Sequence, residues 1–257
     1  MNRQPFTREI VDFYDVFVDW PSRLAREIPG VEARLKASGA HRVLDVGCGT
    51  GRHVAALLDR GYDAFGTDAS PEMIVRAGKL VDRPNRFGKW RLEEPVPAAL
   101  AEKAPFDAVL ALGNVFPQLS ATGAAEAALG HIHTLLRYGG VLLFGLKAFA
   151  VRRESGNPYL PLLRRTHEGR TLFFVRFLDF DADDPDLAHM HFAVLGEEDH
   201  PGGSLVAHQV APIRVWSPDA LVSAVCAAGF AEVAVSGSIG DREAPVDGED
   251  VFVHARS

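Results

Sequence analysis

Apolar side chains recur at helical intervals in the first forty residues and at strand-like intervals further along the chain. Residues 5–28 carry apolar positions at roughly helical spacing, and residues 31–38 form a second such segment with Gly39 placed as a C-cap. The pattern predicts two helices ahead of the first strand. Residues 1–40 are therefore interpreted as an N-terminal helical cap on the domain that follows.

From residue 41 to residue 150, short apolar runs alternate with amphipathic segments. Strands are predicted for residues 42–46, 62–67, 86–92, 106–112 and 141–146. Helices are predicted for residues 52–59, from Pro71 onward behind the N-cap Ser70, and for residues 122–138 ahead of a Gly139-Gly140 stop. Strands that alternate with helices predict a parallel sheet covered on both faces, which is a doubly wound α/β architecture.

The pattern changes after about residue 150. Residues 171–180, 188–195 and 205–215 have the alternation of long strands and are separated by turns rich in Asp, Pro and Gly. Because no helix separates them, they predict an antiparallel β insertion or lid over residues 151–215. A helix at 217–228 and strands at 230–235 and 251–255 then complete the core sheet in residues 216–257.

Composition narrows the function classes only slightly. The 257 residues are 47% hydrophobic and 24% charged, which is typical of a globular protein. A net charge of −7 argues against nucleic acid as a partner, because phosphate binding needs a concentrated basic surface. The two cysteines do not supply a disulfide framework. With neither an export signal nor an apolar run long enough for a membrane span, we expect a cytoplasmic protein without a membrane partner.

The sequence VLDVGCGTGRH at residues 43–53 has glycines at 47, 49 and 51, directly after a predicted strand and before a predicted helix. Glycines there let the backbone turn sharply and approach a ligand closely. Arg52 replaces the third glycine of the dinucleotide fingerprint, and no phosphate-binding P-loop sequence occurs. Asp68 ends the next strand, where a carboxylate accepts hydrogen bonds from a ribose diol. The pattern therefore predicts a ribose-containing ligand.

Other polar residues leave alternatives open. His189 and His191 are two apart on a predicted strand and share one face, which could line a substrate cavity or bind a metal. No third metal ligand is evident, so no metal site is assigned. Asp45 is interpreted as a residue that orders the glycine loop, and the acidic run at 181–186 as a solvated turn.

Four segments resemble the class I S-adenosylmethionine-dependent methyltransferases. VLDVGCGTG is similar to the first motif of that family and GTDAS to its acidic second motif, while GKWRLEEP and FDAVLALGNVFPQL resemble the glycine/sarcosine N-methyltransferase group. The resemblance covers roughly residues 40–150. It implies an S-adenosylmethionine cofactor and a seven-stranded, mostly parallel, Rossmann-like sheet whose last strand runs antiparallel. It also implies an antiparallel insertion on the acceptor side.

The resemblance further implies which residues form the site. The glycine loop would pass close to the methionine part of the cofactor, Asp68 would hold the ribose, and Trp90 would lie near the adenine. The cofactor set is Tyr14, Gly47, Cys48, Gly49, Gly51, Asp68, Ala69, Met73, Trp90, Arg91, Gly113 and Asn114. The set expected at the catalytic, acceptor side is Tyr14, Asn114, Lys147, His189 and His191.

The resemblance also has departures that bear on the acceptor. Lys147 and Phe149 stand where the glycine-methylating group has an arginine and a tyrosine, and lysine does not replace a planar arginine fork. Glycine itself is therefore not assigned as the substrate. We expect in-line methyl transfer to a nitrogen, or to an oxygen, of a small molecule. An oxygen acceptor usually needs a general base, for which His53, His189 and His191 are candidates.

Two other function classes stay open. The first is a non-catalytic S-adenosylmethionine-binding protein, and the second is a nucleotide-dependent oxidoreductase, which Arg52 disfavours. The expected partner is a small-molecule methyl acceptor, and a homodimer is possible.

Overall fold

The computed structural model describes residues 8–197, 203–241, 246 and 250–257, with side chains from residue 10 onward. Residues 5–7 of the first predicted helix and part of the acidic loop before the last predicted strand lie outside this range. The helices are α1 (Arg8–Phe17), α2 (Trp20–Ala37), α3 (Arg52–Leu58), α4 (Pro71–Leu80), α5 (Ala98–Ala101), α6 (Ala124–Leu135), α7 (Ala150–Glu154) and α8 (Pro218–Ala227), with a 3₁₀ turn at Phe116–Gln118.

The strands form two separate sheets. They are β1 (Arg42–Val46), β2 (Asp63–Asp68), β3 (Phe87–Lys89), β4 (Phe106–Ala111), β5 (Leu136–Lys147), β6 (Leu163–His167), β7 (Arg170–Phe180), β8 (Leu187–Gly196), β9 (Ser204–Arg214), β10 (Ala231–Ser236) and β11 (Asp250–Arg256). Among the helices that the structure describes, none has both the length and the apolar character that crossing a membrane requires.

The larger sheet has seven strands in the order β10-β11-β5-β4-β1-β2-β3. Its pairs are parallel except where β11 lies antiparallel between β5 and β10. This is the doubly wound sheet with an antiparallel last strand that the sequence predicts, so the expected fold class is confirmed. Because the strands are parallel, their carboxyl ends lie at one edge of the sheet, where ligands bind in such folds.

Alternate side chains of the central strands enter two different apolar layers. Leu44 and Val109 lie in the layer beneath α6 and α8, whereas Val43 and Ala108 lie in the layer beneath α2 and α3. All four are fully buried. Burial on both faces explains why these strands read as continuous apolar runs.

The second sheet is antiparallel, with the order β6-β7-β8-β9. Its inner face carries Phe174 and Phe192, which pack against Ile10 of α1. The opposite, outer face carries Phe177 and His191, because successive residues of a strand point to opposite sides. The predicted insertion therefore exists, with β6 and α7 as elements that the pattern did not predict. The domain boundaries near residues 40, 150 and 215 stay predictions.

The first predicted helix is wrong in its bounds. The first helix ends at Phe17. Asp19 then caps a new helix by accepting a 3.2 Å hydrogen bond from the Ser22 backbone N–H. The helix α2 then continues through Pro29 to Ala37 instead of ending near residue 28. A local capping contact and tertiary burial of Ile28 and Val31 outweigh the helix-breaking tendency of proline.

The predicted Gly139-Gly140 stop is also wrong. The helix α6 ends at Leu135, and both glycines lie inside β5, where Leu136 already pairs with Phe106 of β4. The Gly139 N–H donates to the Ser257 carbonyl at 2.9 Å. Backbone pairing with the end of the chain, which sequence spacing does not reveal, keeps this segment extended.

Candidate functional site

The glycine loop joins β1 to α3 at the carboxyl edge of the large sheet. Gly47, Gly49 and Gly51 all have φ between +55° and +80°, a conformation that disfavours other residues. A Cβ on Gly47 would lie 2.5 Å from Val115 Cγ2, and one on Gly51 would lie 2.9 Å from Ala77 Cβ. The glycines are therefore required both by their backbone conformation and by close neighbours.

Asp68 ends β2 and is bonded to this loop. Its Oδ2 accepts from the Gly49 N–H at 2.9 Å, and its Oδ1 accepts from the Ser70 N–H at 2.9 Å. Burial raises the pKa of Asp68, and these backbone hydrogen bonds oppose the rise. Each carboxylate oxygen has a further lone pair, so the group can also accept from a ligand hydroxyl.

Helix α1 covers the loop through Tyr14. The Tyr14 ring lies 3.5 Å from the position that a Cβ on Gly49 would occupy. The helix is fixed there by Asp15, which accepts from the Thr50 hydroxyl at 2.7 Å and from the Arg52 guanidinium at 3.0 Å. Burial raises the pKa of Tyr14, so its phenol stays protonated at neutral pH. The structure thus brings Tyr14 to the glycine loop, and its contact with a cofactor stays a prediction.

Arg23 of α2 is a site residue that the sequence pattern did not identify. Its guanidinium bonds to Tyr14, and its NH2 atom lies 2.9 Å from the position that a Cβ on Gly113 would occupy. Its Nε donates to both oxygens of Glu27, at 3.0 and 3.1 Å. In sequence, an Arg–Glu pair four residues apart is typical of an exposed helix surface, so only the tertiary structure reveals this cation beside the glycine loop. The region bounded by the glycine loop, Tyr14, Arg23 and Gly113 is called the cleft below.

Asp45, near the end of β1, is a buried carboxyl with 2% of its surface exposed. Its Oδ2 makes no hydrogen bond within the described residues. Burial raises the pKa of Asp45 to about 8, Arg23 opposes the rise, and Asp68 adds to it. A buried carboxyl oxygen without a protein partner is a place where a ligand N–H could donate.

Gly113 and Asn114 follow β4 with φ of +87° and +65°. The Asn114 side-chain oxygen accepts from the Lys147 backbone N–H at 2.6 Å, so this side chain joins the ends of β4 and β5. The Lys147 ammonium instead pairs with Asp250 at 2.9 Å, at the neighbouring strand β11. The structure thus places Asn114 beside Gly113 at the cleft, whereas the Lys147 ammonium lies at β11.

Met73 and Trp90 are both buried, with 1% and 3% of their surfaces exposed. The Met73 N–H donates to the capping Ser70 hydroxyl at 3.3 Å, at the start of α4. The Trp90 Nε1–H donates to the Glu94 carbonyl at 3.0 Å, and its ring belongs to the apolar layer beneath α6. Their proximity to an adenine stays a prediction.

Three further residues of the predicted cofactor set lie along the same edge. The Ala69 N–H donates to Asp68. The Cys48 thiol is buried against Gly66 of β2, and burial raises its pKa well above the usual range, so it is not a nucleophile. Arg91 pairs with Glu93 at 2.6 Å. Their contact with a ligand stays a prediction.

His189 and His191 lie on the face of β8 opposite to the one that packs on α1, so the structure does not bring them together with Tyr14; their catalytic role stays a prediction. They lie on the outer face of the second sheet, where the His191 ring stacks on Phe177 at 4.3 Å and lies 5.8 Å from His208. The inner face of the same strand packs toward α1 through Phe192. Strand phase, which is set by packing, decides between the two faces. Within the described residues, no group of three His, Cys, Asp or Glu side chains is arranged to hold a metal.

His53, the third candidate base, is bonded to Glu27. His53 is 3% exposed, and its Nε2 lies 2.8 Å from Glu27 Oε2 beneath Arg23. The cleft therefore combines a cation (Arg23), a buried carboxyl (Asp45), a half-buried carboxyl (Asp68) and a neutral phenol. This arrangement suits a ligand that carries a carboxylate, an ammonium group and a hydroxyl pair.

Comparisons with known proteins agree with this geometry. Residues 44–142 match the model of a methyltransferase domain. The chain is 32% identical over 171 residues to a glycine/sarcosine N-methyltransferase of Parasynechococcus marenigrum, covering 61% of this chain and 58% of that protein. It is 36% identical over 138 residues to a glycine N-methyltransferase of Rattus norvegicus, covering 49% and 46%. The chain thus spans about half the length of these relatives.

A solved structure extends the likeness over the whole fold. The amino pentose methyltransferase CalS10 from Micromonospora echinaspora, solved with S-adenosylmethionine bound, superposes with a TM-score of 0.68 at 22% identity and covers 100% of both chains. At this identity, the likeness establishes the fold. The antiparallel second sheet is therefore part of a shared architecture.

Proposed function

We propose, on the premise that this chain is a class I S-adenosylmethionine-dependent methyltransferase, that it transfers a methyl group from S-adenosylmethionine to a nitrogen of a small-molecule acceptor. The observation that carries the proposal is the Asp68–Gly49 hydrogen bond, which fixes a carboxylate to a glycine loop at the carboxyl edge of a parallel sheet, where it would bind the ribose. A dinucleotide site would need a further glycine at Arg52.

The charges of the cleft match the parts of the cofactor. Arg23 would receive its carboxylate through a planar guanidinium, and Asp45 would accept from its ammonium group. Asp68 would accept from the ribose hydroxyls, as the family resemblance implies. Tyr14 would cover the loop and exclude water from the sulfur. The charged and polar groups of the cleft are thus complementary to the charged and polar groups of S-adenosylmethionine.

An amine is the acceptor that needs least from the protein. Bound S-adenosylmethionine supplies a methyl group attached to a sulfonium sulfur. When the acceptor takes the methyl group, the sulfur leaves readily as a neutral thioether. The remaining requirement is to hold an unprotonated nitrogen opposite that sulfur. An oxygen acceptor would need a general base, but His189 and His191 face outward and His53 is bonded to Glu27. These placements favour nitrogen over oxygen.

The acceptor is proposed to be small because structure covers the cleft on several sides. Helix α1 lies over the loop, the inner face of the second sheet packs on α1, and Arg176 stands over the Phe17 ring at 4.6 Å. The similar proteins are named for glycine, sarcosine and an amino pentose, which are all small amines. Lys147 pairs with Asp250, so it does not offer a carboxylate clamp for glycine.

Calorimetric titration with S-adenosylmethionine and with NAD tests the donor half. We expect the protein to bind S-adenosylmethionine and not NAD. We also expect Asp68→Ala to lose much of the affinity for S-adenosylmethionine. The matched control is Asp63→Ala, which removes a carboxylate from the other end of β2, where it pairs with Arg42 and Arg86. Equal effects of the two substitutions, or binding of NAD, would refute the donor assignment.

Methyl transfer to a panel of small amines and phenols tests the acceptor half, with S-adenosylhomocysteine as the measured product. We expect turnover with amines. Cofactor binding without turnover on any member would favour the alternative of a non-catalytic S-adenosylmethionine-binding protein. The absence of nucleic acid partners and a location in the cytoplasm stay predictions.

A homodimer is proposed through the outer face of the second sheet. This face carries the stacked Phe177 and His191 together with Val210, which is 43% exposed. The four strands are 5, 11, 10 and 11 residues long. At a spacing of about 4.8 Å they span roughly 600 Å², somewhat below the ~800 Å² per partner of a standard interface. Sedimentation of wild type and Val210→Glu tests this: we expect a dimer for the first and a monomer for the second, and monomeric wild type would refute it.

A further inference from the structure

A buried chain of hydrogen bonds connects the cleft to the interior of the protein through Arg23. Arg23 Nε donates to both Glu27 oxygens, and Glu27 Oε2 lies 2.8 Å from His53 Nε2. Glu27 and His53 are 6% and 3% exposed. This network belongs to α2 and α3, beneath the glycine loop, and none of the proposed chemistry uses Glu27 or His53 directly.

The protonation states in this network are defined by its contacts. Burial opposes ionisation of Glu27, but hydrogen bonds from His53 and Arg23 outweigh it and lower the pKa of Glu27 to about 2. Burial lowers the pKa of His53, so its ring is neutral near pH 7 and its Nε2–H donates to the carboxylate. The charged pair is therefore Arg23 with Glu27, and His53 is a neutral donor that holds Glu27 in place.

The contacts also fix the orientation of Arg23. Glu27 holds the Nε side of the guanidinium, and the Trp20 ring lies beneath it with 5.1 Å between Cζ and the ring centroid. Trp20 is in turn fixed by a 2.7 Å hydrogen bond from its Nε1–H to Asp15. The remaining NH1 and NH2 atoms lie toward Gly113, at the carboxyl end of β4. A ligand carboxylate would approach from this side, and the guanidinium also bonds to Tyr14.

We propose that Glu27 and His53 are positioning residues that hold Arg23 oriented for the carboxylate of the methyl donor. This inference rests on the proposed function, since it assumes that S-adenosylmethionine occupies the cleft. The specific consequence is that the network acts on the carboxylate of the donor and on no other part of it. A flexible arginine would lose this preorganisation.

Two ligands that differ only in the carboxylate provide the test: S-adenosylmethionine and its decarboxylated form. In Glu27→Gln, we expect the Kd of S-adenosylmethionine to rise by about tenfold or more, as a misplaced binding group predicts. The Kd of the decarboxylated ligand should stay within about twofold of wild type. In the double variant with Arg23→Ala, Glu27→Gln should add nothing to the effect of Arg23→Ala.

The matched control is Glu32→Gln. Glu32 also lies on α2, and it pairs with Lys36 and with Arg60, which follows the end of α3, but it does not contact Arg23. We expect unchanged binding of both ligands in this variant. If Glu27→Gln weakens both ligands equally, or neither, the inference is refuted, whereas failure of the wild type to bind S-adenosylmethionine refutes the proposed function instead.

His53 is tested by paired substitutions. His53→Ala removes the donor to Glu27 and should weaken S-adenosylmethionine binding selectively, whereas His53→Gln retains an N–H donor and should restore most of the affinity. Circular dichroism and thermal melting of each variant identify any that fail to fold. Equal Kd values for the two folded variants would overturn the assignment of His53.

Discussion

The buried carboxyl of Asp45 makes the stability of the ligand-free protein depend on pH in a defined direction. Its pKa rises from the ordinary 3.8 to about 8, mainly because of burial. Between these two values the folded protein holds a proton that the unfolded chain has released. Stability therefore falls as pH rises through this window. The substitution Asp45→Asn mimics the protonated form and removes this contribution.

The magnitude follows from the shift. While the folded protein keeps the proton and the unfolded chain has lost it, each pH unit costs about 1.4 kcal/mol. From pH 5 to pH 7 the wild type should thus lose about 3 kcal/mol relative to Asp45→Asn, and the difference should level off above the folded pKa. Asp68 also has a raised pKa, but its contribution is common to both proteins and cancels in the comparison to first order.

Urea unfolding of both proteins at pH 5, 6, 7 and 8, without ligand, measures this difference. Because pH 5 lies about 1.2 units above the ordinary pKa of 3.8, we expect the variant to be more stable by about 1.6 kcal/mol there, and the difference to grow progressively toward pH 8. A difference that does not change with pH would mean that Asp45 is ionised in the folded protein throughout. The pKa argument for this site would then be refuted.

Three further predictions follow from the same site. Calorimetric titration with S-adenosylmethionine at pH 7, in buffers of different ionisation enthalpy, should show release of close to one proton from wild type and of none from Asp45→Asn, because the ligand ammonium favours the ionised form of Asp45. Equal proton release from both proteins would contradict this. Gly51→Ala should destabilise the fold by about 1–3 kcal/mol, measured by thermal melting, since φ is +80° and Ala77 Cβ is 2.9 Å from the added methyl. His191→Ala should leave the kcat of methyl transfer unchanged, because the ring lies on the outer face, and a large loss would place it in the site.

The parts of the site that the sequence predicted are those in which local order determines geometry. A glycine loop after β1 and an acidic residue at the end of β2 are brought together by parallel pairing, since Asp45 lies beside Gly66 in the register. The strand–helix alternation then fixes the edge at which Asp68 and Gly49 meet. These features depend on topology, which the hydrophobic pattern already contains.

The parts that the sequence missed depend on tertiary packing. Arg23 and Glu27 look like an exposed helix pair until α2 is packed against α3, and only then is His53 brought to Glu27. The phase of β8 had two solutions, and burial of Phe192 against α1 places His191 on the other side. The position of Lys147 after a predicted strand places it on the acceptor side. In the structure, its ammonium forms an ion pair with Asp250 of β11, which is distant in sequence.

Helix α1 has a consequence for the order in which ligands bind. One side of this ten-residue helix places Tyr14 over the glycine loop, and Phe17, one turn later, packs against Phe174 and Phe192 of the second sheet. A single helix therefore touches both the glycine loop, proposed to bind the donor, and the second sheet, proposed to lie on the acceptor side. Coupling through the helix would be reciprocal, so that donor binding and acceptor binding would change each other's free energy of binding by the same amount. We expect ordered kinetics, in which donor binding settles the helix and thereby completes the acceptor site.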